Sequence, residues 1–434
     1  LIFIKNFTWR RGYSFMGFRF VHIADIHLDT PFQNRDKKLR QILGECVRES
    51  FSGAVDLAIQ REAHALLIAG DLFDGNALSY RTVKFLQQEL NRLCERGIEV
   101  FYSPGNHDPI AQNEQAIDWP DNVHIFSSSE PESVPVLDRD GQLLAYVVGA
   151  GHERRAEGRN LAKGFPQAKG SIPYVGLLHC LLLEGEGAGA HERYAPCTRW
   201  DLEKKDYAYW ALGHIHRRME YSDGTYIVYP GNICGRNFKE TGAKGGYYVE
   251  VNDMGTLKAE FVPLSYSLWI DLDIYGLEEI DNWAFLEDYL IGRLGEELGA
   301  IPSDVSTKRV FVRMNLMGTS PMYRELIDSE DIEALEEDIT LDLGLENLEI
   351  DTEHIYPPIK VEDYLAGPHL ASYTLALIEE TKRDEKLLLS LAPEPIAKKL
   401  AGGREESLAY LKKLLEDLER EALVRLVEEA NYEI

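Results

Sequence analysis

Three times in the first 110 residues, a short apolar run stops at a cluster of polar side chains. Residues 18–24 (FRFVHIA) stop at Asp25-Ile26-His27, residues 65–69 (ALLIA) at Gly70-Asp71, and residues 100–102 run on into Gly105-Asn106-His107-Asp108. The first run alternates and then turns wholly apolar, which predicts a central strand. Between the runs, residues 38–61 and 82–96 carry apolar side chains at helical spacing, and Gly97 closes the second. Strand, polar loop and helix in repetition make an α/β plan. Its polar residues collect just past the C-terminal ends of strands, where such sheets keep their active sites.

From residue 123 the texture changes to shorter strands, expected at 124–126, 143–148, 174–178, 207–212, 226–229 and 246–251. Two of these also end at histidines, His179 and His214. The expected architecture is a four-layer αββα sandwich spanning residues 17–265. Residues 266–357 read as a small α+β cap domain, with strands at 268–275, 309–316 and 348–355 and helices at 283–298 and 321–337. Residues 358–434 read as a helical segment for binding a partner, with helices at 364–386 and 405–431. Residues 1–16 lack the pattern of a signal peptide and are expected to be an N-terminal arm or upstream extension.

The net charge of −27 is placed unevenly, because residues 266–366 hold 25 acids against 6 bases. The remainder carries only −8, so a polyanionic substrate for the N-terminal part is not excluded, whereas the acidic block would repel phosphate backbones. Five cysteines are scattered without CxxC spacing, which points to reduced thiols and a cytoplasmic location. No apolar run reaches the length of a membrane span.

The strand-end residues offer a ligand set. Asp25 and His27, like His214 and His216, are two apart, so at a strand end both members of a pair face one side. With Asp71, Asn106 and His179 they make seven nitrogen and oxygen donors, enough for two divalent metals roughly 3.5–4 Å apart. Imidazole, carboxylate and amide without thiolate favour Mn²⁺, Fe²⁺ or Zn²⁺ over Mg²⁺. Any one of these pieces alone is compatible with a turn, a helix cap or a core histidine. Their recurrence at successive strand ends is not.

Asp25-x-His27, Gly70-Asp71-x-x-Asp74, Gly105-Asn106-His107-Asp108, His179 and Gly213-His214-x-His216 together resemble the signature of the calcineurin-like metallophosphoesterases. The segments 27–32, 230–236 and 240–245 resemble more narrowly the SbcD-type DNA-repair nucleases, above all the bacterial YhaO-like exonucleases. The resemblance implies that Asp25, His27, Asp71 and His216 hold one metal, and that Asp71, Asn106, His179 and His214 hold the other. Mn²⁺ is the expected metal. His107 is then a catalytic non-ligand oriented by Asp74, and Asp108 braces the turn.

The implied activity is hydrolysis of DNA phosphodiesters by metal-activated water, as a 3′-to-5′ exonuclease on double-stranded ends. The implied partner is an SMC-like (SbcC-type) ATPase, with room for a homodimer and no membrane role. Arg236, Lys239 and Lys244 are the foremost phosphate contacts expected, alongside Arg35, Lys37, Lys38, Arg40, Arg154 and Arg155. Gly75-Asn76 after Asp74, and Asp108 closing the third block, argue against a phosphoprotein phosphatase. A small-molecule or cyclic-nucleotide phosphodiesterase stays open. A non-catalytic binding protein would have lost ligands, and none is lost.

Overall fold

The computed structural model describes residues 17–33, 35–75, 78–110, 117–183, 194–252, 256–300, 308–391, 404–415 and 418–432. The expected arm at 1–16 lies outside these residues. The chain divides into two compact units, residues 1–270 with 303–310, and residues 271–302 with 311–434.

The first unit is built on two six-stranded sheets. Its strands in chain order are β1 (Gly17–Ile23), β2 (Ala65–Ile68), β3 (Glu99–Tyr102), β4 (Val123–Ile125), β5 (Glu132–Leu137), β6 (Leu143–Ala150), β7 (Tyr174–His179), β8 (Tyr209–Gly213), β9 (Met219–Tyr221), β10 (Tyr226–Tyr229), β11 (Gly245–Asn252) and β12 (Leu257–Pro263). One sheet has the order β12-β11-β1-β2-β3-β4 and the other β5-β6-β7-β8-β10-β9. β1 to β4 pair in parallel, as do β6, β7, β8 and β10. Successive C-terminal ends therefore open at one edge of each sheet.

Both faces of the central strands are apolar because both are covered. On the inner face, Phe18, Phe20, Leu67 and Phe101 pack against Val147, Val175, Leu177 and Tyr209 of the facing sheet. On the outer face, Val21, Ile23, Leu66, Ile68 and Val100 meet Phe51, Val55, Leu86 and Leu90. Those last four lie on α1 (Lys37–Gln60) and α2 (Tyr80–Cys94). Each helix starts at a side-chain cap: Asp36 accepts from the amides of Lys38 and Leu39, and Ser79 from that of Thr82. The fourth layer is thin, comprising a five-residue helix at Arg199–Glu203 and a 3₁₀ turn at Leu161–Gly164. Both sit over a core of Leu178, Trp210 and Leu212. The αββα order is as expected, and β5, β9 and β12 are additional strands.

The second unit carries a three-stranded sheet of β13 (Ser267–Ile274), β14 (Arg309–Leu316) and β16 (Asn347–Asp351). A short parallel pair, β15 (Gly318–Thr319) with β17 (Ile355–Tyr356), lies beside it in sequence. The helix expected at 321–337 is two helices, Tyr323–Leu326 and Ser329–Leu343. Asp328 breaks the run by capping the second, accepting from the amide of Glu330. The expected strand at 348–355 ends at Asp351, and Ile355 belongs to β17.

The C-terminal expectations divide in the same way. Leu370–Arg383 and Glu385–Ser390 replace one long helix, because Asp384 leaves the helical conformation and caps the second piece. The run at 405–431 is Arg404–Leu414 and Leu418–Tyr432. Ala371, Leu375 and Leu423 form a small core between two of these helices, and Lys382 pairs with Glu419 at 2.5 Å beside it. No helix among the described residues is long and apolar enough to cross a membrane.

Candidate metal centre

Past the ends of β1 and β2 the two loops stay zipped together. The amides of Asp25, His27 and Leu28 donate to the carbonyls of Gly70, Asp71 and Leu72 at 3.1, 2.9 and 2.9 Å, and that of Asp74 donates back to Leu28. This irregular ladder brings Asp25-x-His27 alongside Asp71-x-x-Asp74. Asp25, His27, Asp71 and His214 all have positive φ, at 51°, 54°, 49° and 105°. Four strained non-glycine residues in one place are the mark of a functional site.

The glycines before the ligands are required by close approach. A Cβ on Gly105 would stand 2.3 Å from Asp71 Oδ1, and one on Gly213 would stand 1.7 Å from the Ala69 carbonyl oxygen.

Asp108 does not join the cluster. Its buried carboxylate accepts from the amides of Asp71, Leu72, Phe73 and Gly105 and from the Tyr102 hydroxyl. It fastens the second block to the third, which is the bracing role expected for it.

The remaining side chains converge. His179 Nε2 is 2.9 Å from Asn106 Oδ1 and 3.5 Å from Asp71 Oδ2. His27 Nε2 is 3.2 Å from His216 Nε2 and 3.8 Å from Asp71 Oδ2, and His216 Nε2 is 3.8 Å from Asp25 Oδ1. Asp71 thus stands between the two groups. His214 lies beside them, its ring 5.3 Å from that of His179 and its amide donating to both oxygens of Asp25. His214 is absent from the ligand clusters among the described residues, whereas His107 forms one with His27 and Asp71, ligand atoms within 4.8 Å.

The proton positions test whether cations fit here. His179 Nδ1 is 2.9 Å from the Ala69 carbonyl, which can only accept, so its proton is on Nδ1. Nε2 then offers a lone pair toward the lone pairs of Asn106 and Asp71. His216 Nδ1 donates to Glu240 Oε1 at 2.9 Å, so its Nε2 is bare as well and faces His27. Acceptors pointed at acceptors repel unless a cation lies among them.

The electrostatics agree. Burial holds His27 and His179 well below the usual imidazole range, so they are neutral. Burial, then the proximity of Asp71, raises Asp25 well above the usual carboxylate range, and burial raises Asp71 too. The pocket lacks positive charge, and mixed nitrogen and oxygen donors suit divalent metals.

His107 is set apart by its partner. Its Nδ1 is 2.8 Å from Asp74 Oδ1, Thr30 Oγ1 donates to Asp74 Oδ2 at 3.0 Å, and its side chain is 32% exposed. The Asp74 hydrogen bond raises the His107 pKa, outweighing its partial burial. Burial alone would raise Asp74, but the hydrogen bonds from His107 and Thr30 bring it below its usual value.

Of the expected phosphate contacts, Arg236 and Lys244 turn inward. Arg236 Nη2 donates to Glu240 Oε1 at 3.0 Å, and Lys244 Nζ donates to the His216 carbonyl at 2.9 Å. Lys239 is exposed. Sequence reasoning gave no role to two further residues. Glu240 also accepts from the Asn232 amide side chain and the Arg236 backbone. Burial opposes its charge, but His216 and Arg236 outweigh it and keep Glu240 ionised. His152, buried at the end of β6, donates from Nε2 to the His179 carbonyl at 2.7 Å. Its strand-end position in Ala150-Gly151-His152 was a readable signal, whereas that of Glu240 was not.

Because Glu240 fixes the tautomer and orientation of His216, Glu240→Gln is expected to weaken metal binding about 10–100-fold. Competition against a chromophoric chelator measures this, and unchanged affinity would limit Glu240 to a packing role.

Paired carboxylates and neutral imidazoles at the strand ends of a double sheet, with a hydrogen-bonded histidine at the rim, define a metallophosphoesterase, a hydrolase with a dimetal centre. Residues 18–218 match the calcineurin-like phosphoesterase family, and the chain carries a calcineurin-like metallophosphoesterase domain. It is 37% identical over 254 residues to "Uncharacterized metallophosphoesterase YhaO" of Bacillus subtilis, a match covering 58% of this chain and 61% of that protein. It is 25% identical to the DNA double-strand break repair protein Mre11 of Archaeoglobus fulgidus, over 89% of this chain and 92% of that one. Identity to the SbcD subunit of nuclease SbcCD of Rhodobacter capsulatus is 23%, covering 49% of this chain and 61% of that protein. The chain thus spans about three-fifths of the first and third of these relatives.

Proposed function

We propose that this protein is a Mn²⁺-dependent DNA nuclease, a 3′-to-5′ exonuclease on double-stranded ends that works with an SMC-like ATPase in DNA repair. The observation that carries the reading is the approach of His179 Nε2 to Asn106 Oδ1 beside Asp71 with no proton among them. Asp25, His27, Asp71 and His216 would hold one cation, and Asp71, Asn106, His179 and His214 the other. Bound divalent cations supply positive charge to phosphate oxygens and acidify the attacking water.

The chain's own residues do the rest. His107 keeps one ring proton on Asp74 and offers the other, on Nε2, to the leaving 3′-oxygen. Asp74 fixes the ring's orientation, and Thr30 fixes Asp74. Asp108 keeps the loop bearing Asn106 and His107 against the loop bearing Asp71. DNA as substrate is supported by the likeness to Mre11 and to the SbcD subunit, and the ATPase by the latter's being one part of two-part SbcCD.

The test is to incubate protein and Mn²⁺ with duplexes labelled at known ends, beside a small chromogenic phosphodiester. Nucleotide release from 3′ ends is the expected result. Turnover of the small diester with the duplex left intact would replace DNA by a small phosphodiester as substrate.

A further inference from the structure

Cations close to the site are mostly neutralised within the protein. Arg236 is paired with Glu240, and Arg159 with Glu157 at 2.6 Å and Glu153 at 3.6 Å. Arg154 and Arg155 differ. Both are exposed, and no carboxylate among the described residues pairs with either. They stand on the loop that follows β6, and that loop is pinned at both ends.

At its start, the Gly151 amide donates to Ser128, the His152 amide to Pro104, and the Ile110 amide to His152. His152 Nε2 also holds the His179 carbonyl. At its end, Glu157 accepts the Ala195 amide on its carbonyl and the Arg159 amide on its carboxylate. Glu153 is anchored by the Ser129 hydroxyl at 2.6 Å. The loop is thereby fixed to the segment that bears Asn106 and His107. Arg155 is near enough for its charge to oppose protonation of His107. An unpaired guanidinium held beside a working imidazole is unfavourable in the free protein, and a phosphate arriving at the rim would compensate it.

We propose that Arg154 and Arg155 grip the phosphates flanking the scissile bond, so that the loop after β6 directs a DNA strand into the site. This rests on the nuclease reading above.

The test compares wild type, Arg154→Ala/Arg155→Ala, the matching double lysine variant and Lys169→Ala. Each is the full chain loaded with Mn²⁺ and assayed on end-labelled duplex and on a small chromogenic phosphodiester. Lys169, an exposed cation ahead of the N-terminal end of β7, serves as control.

In the double alanine variant KM for duplex should rise about tenfold or more, with kcat little changed. Its log–log salt dependence should become shallower by about one to two. Small-diester turnover should stay within about twofold, since that substrate has no flanking phosphate. The double lysine variant should recover the salt slope and part of the KM, and Lys169→Ala should match wild type.

Unchanged KM and salt slope in the double alanine variant of an active nuclease would overturn the clamp alone. Equal loss of small-diester turnover at full metal loading would overturn it too, by assigning the arginines to the reacting phosphorus. A wild type that leaves duplex uncut would remove the nuclease reading, and the clamp with it.

Discussion

Replacing His107 with alanine should lower phosphodiester turnover about 10²–10⁴-fold while two metals per chain remain bound. The side chain is partly exposed and its main partner is Asp74, so its loss opens no core cavity. Asp74→Asn should cost less, about 10–100-fold, because the ring survives but is less well oriented. The pH profile separates the two roles. His107 acts protonated, and the Asp74 hydrogen bond raises its pKa, so activity falls as pH rises through that value. In Asp74→Asn this basic limb should move to lower pH. Near-native turnover in His107→Ala would remove His107 from the mechanism. Metal content falling below two per chain by plasma emission would make it a ligand, which its place within 4.8 Å of His27 and Asp71 makes worth measuring.

The parts of this site that could be read from sequence are those bound to strand ends. Phe18 and Phe20 on one face of β1, with Val21 and Ile23 on the other, declare a strand covered on both sides. A covered parallel strand must deliver its next residues to the sheet edge, so Asp25, Asp71, Asn106 and His179 could be brought together before any coordinates. Direction was not legible. A positive charge near the site looks the same in sequence whether it faces a substrate or, like Arg236 and Lys244, an internal acceptor. Glu240 lies 24 positions from the His216 it orients, in a loop without periodicity. Edge strands were missed for a related reason: β5 contains Pro135 and is mostly exposed, so little apolar pattern marks it. The long helices expected in the second unit failed at Asp328 and Asp384. There a side chain that caps a new helix outcompeted continuation of the apolar spacing.

Metal removal should reverse the usual effect of a ligand mutation on stability. Without cations, Asp25 and Asp71 are two buried carboxylates facing each other, and Asp25 is raised well above its usual range by burial and then by Asp71. A folded-state pKa above the unfolded value means that the native chain binds the extra proton. Stability of the metal-free protein therefore falls as pH rises above about 4, the ordinary carboxylate value, through the folded pKa. Asp25→Asn removes that charge yet keeps an oxygen to accept from the His214 amide. Metal-free Asp25→Asn should thus be about 1–2 kcal/mol more stable than metal-free wild type at pH 8, with the difference shrinking toward pH 5. Saturating metal should reverse the order, because wild type gains about 4 kcal/mol at a thousandfold excess over Kd and the variant loads poorly. Denaturant unfolding with chelator or Mn²⁺ at the two pH values measures all four terms. Equal pH slopes for the two metal-free proteins would mean that Asp25 is not a strained carboxylate, and a variant still binding two metals would take it out of the ligand set.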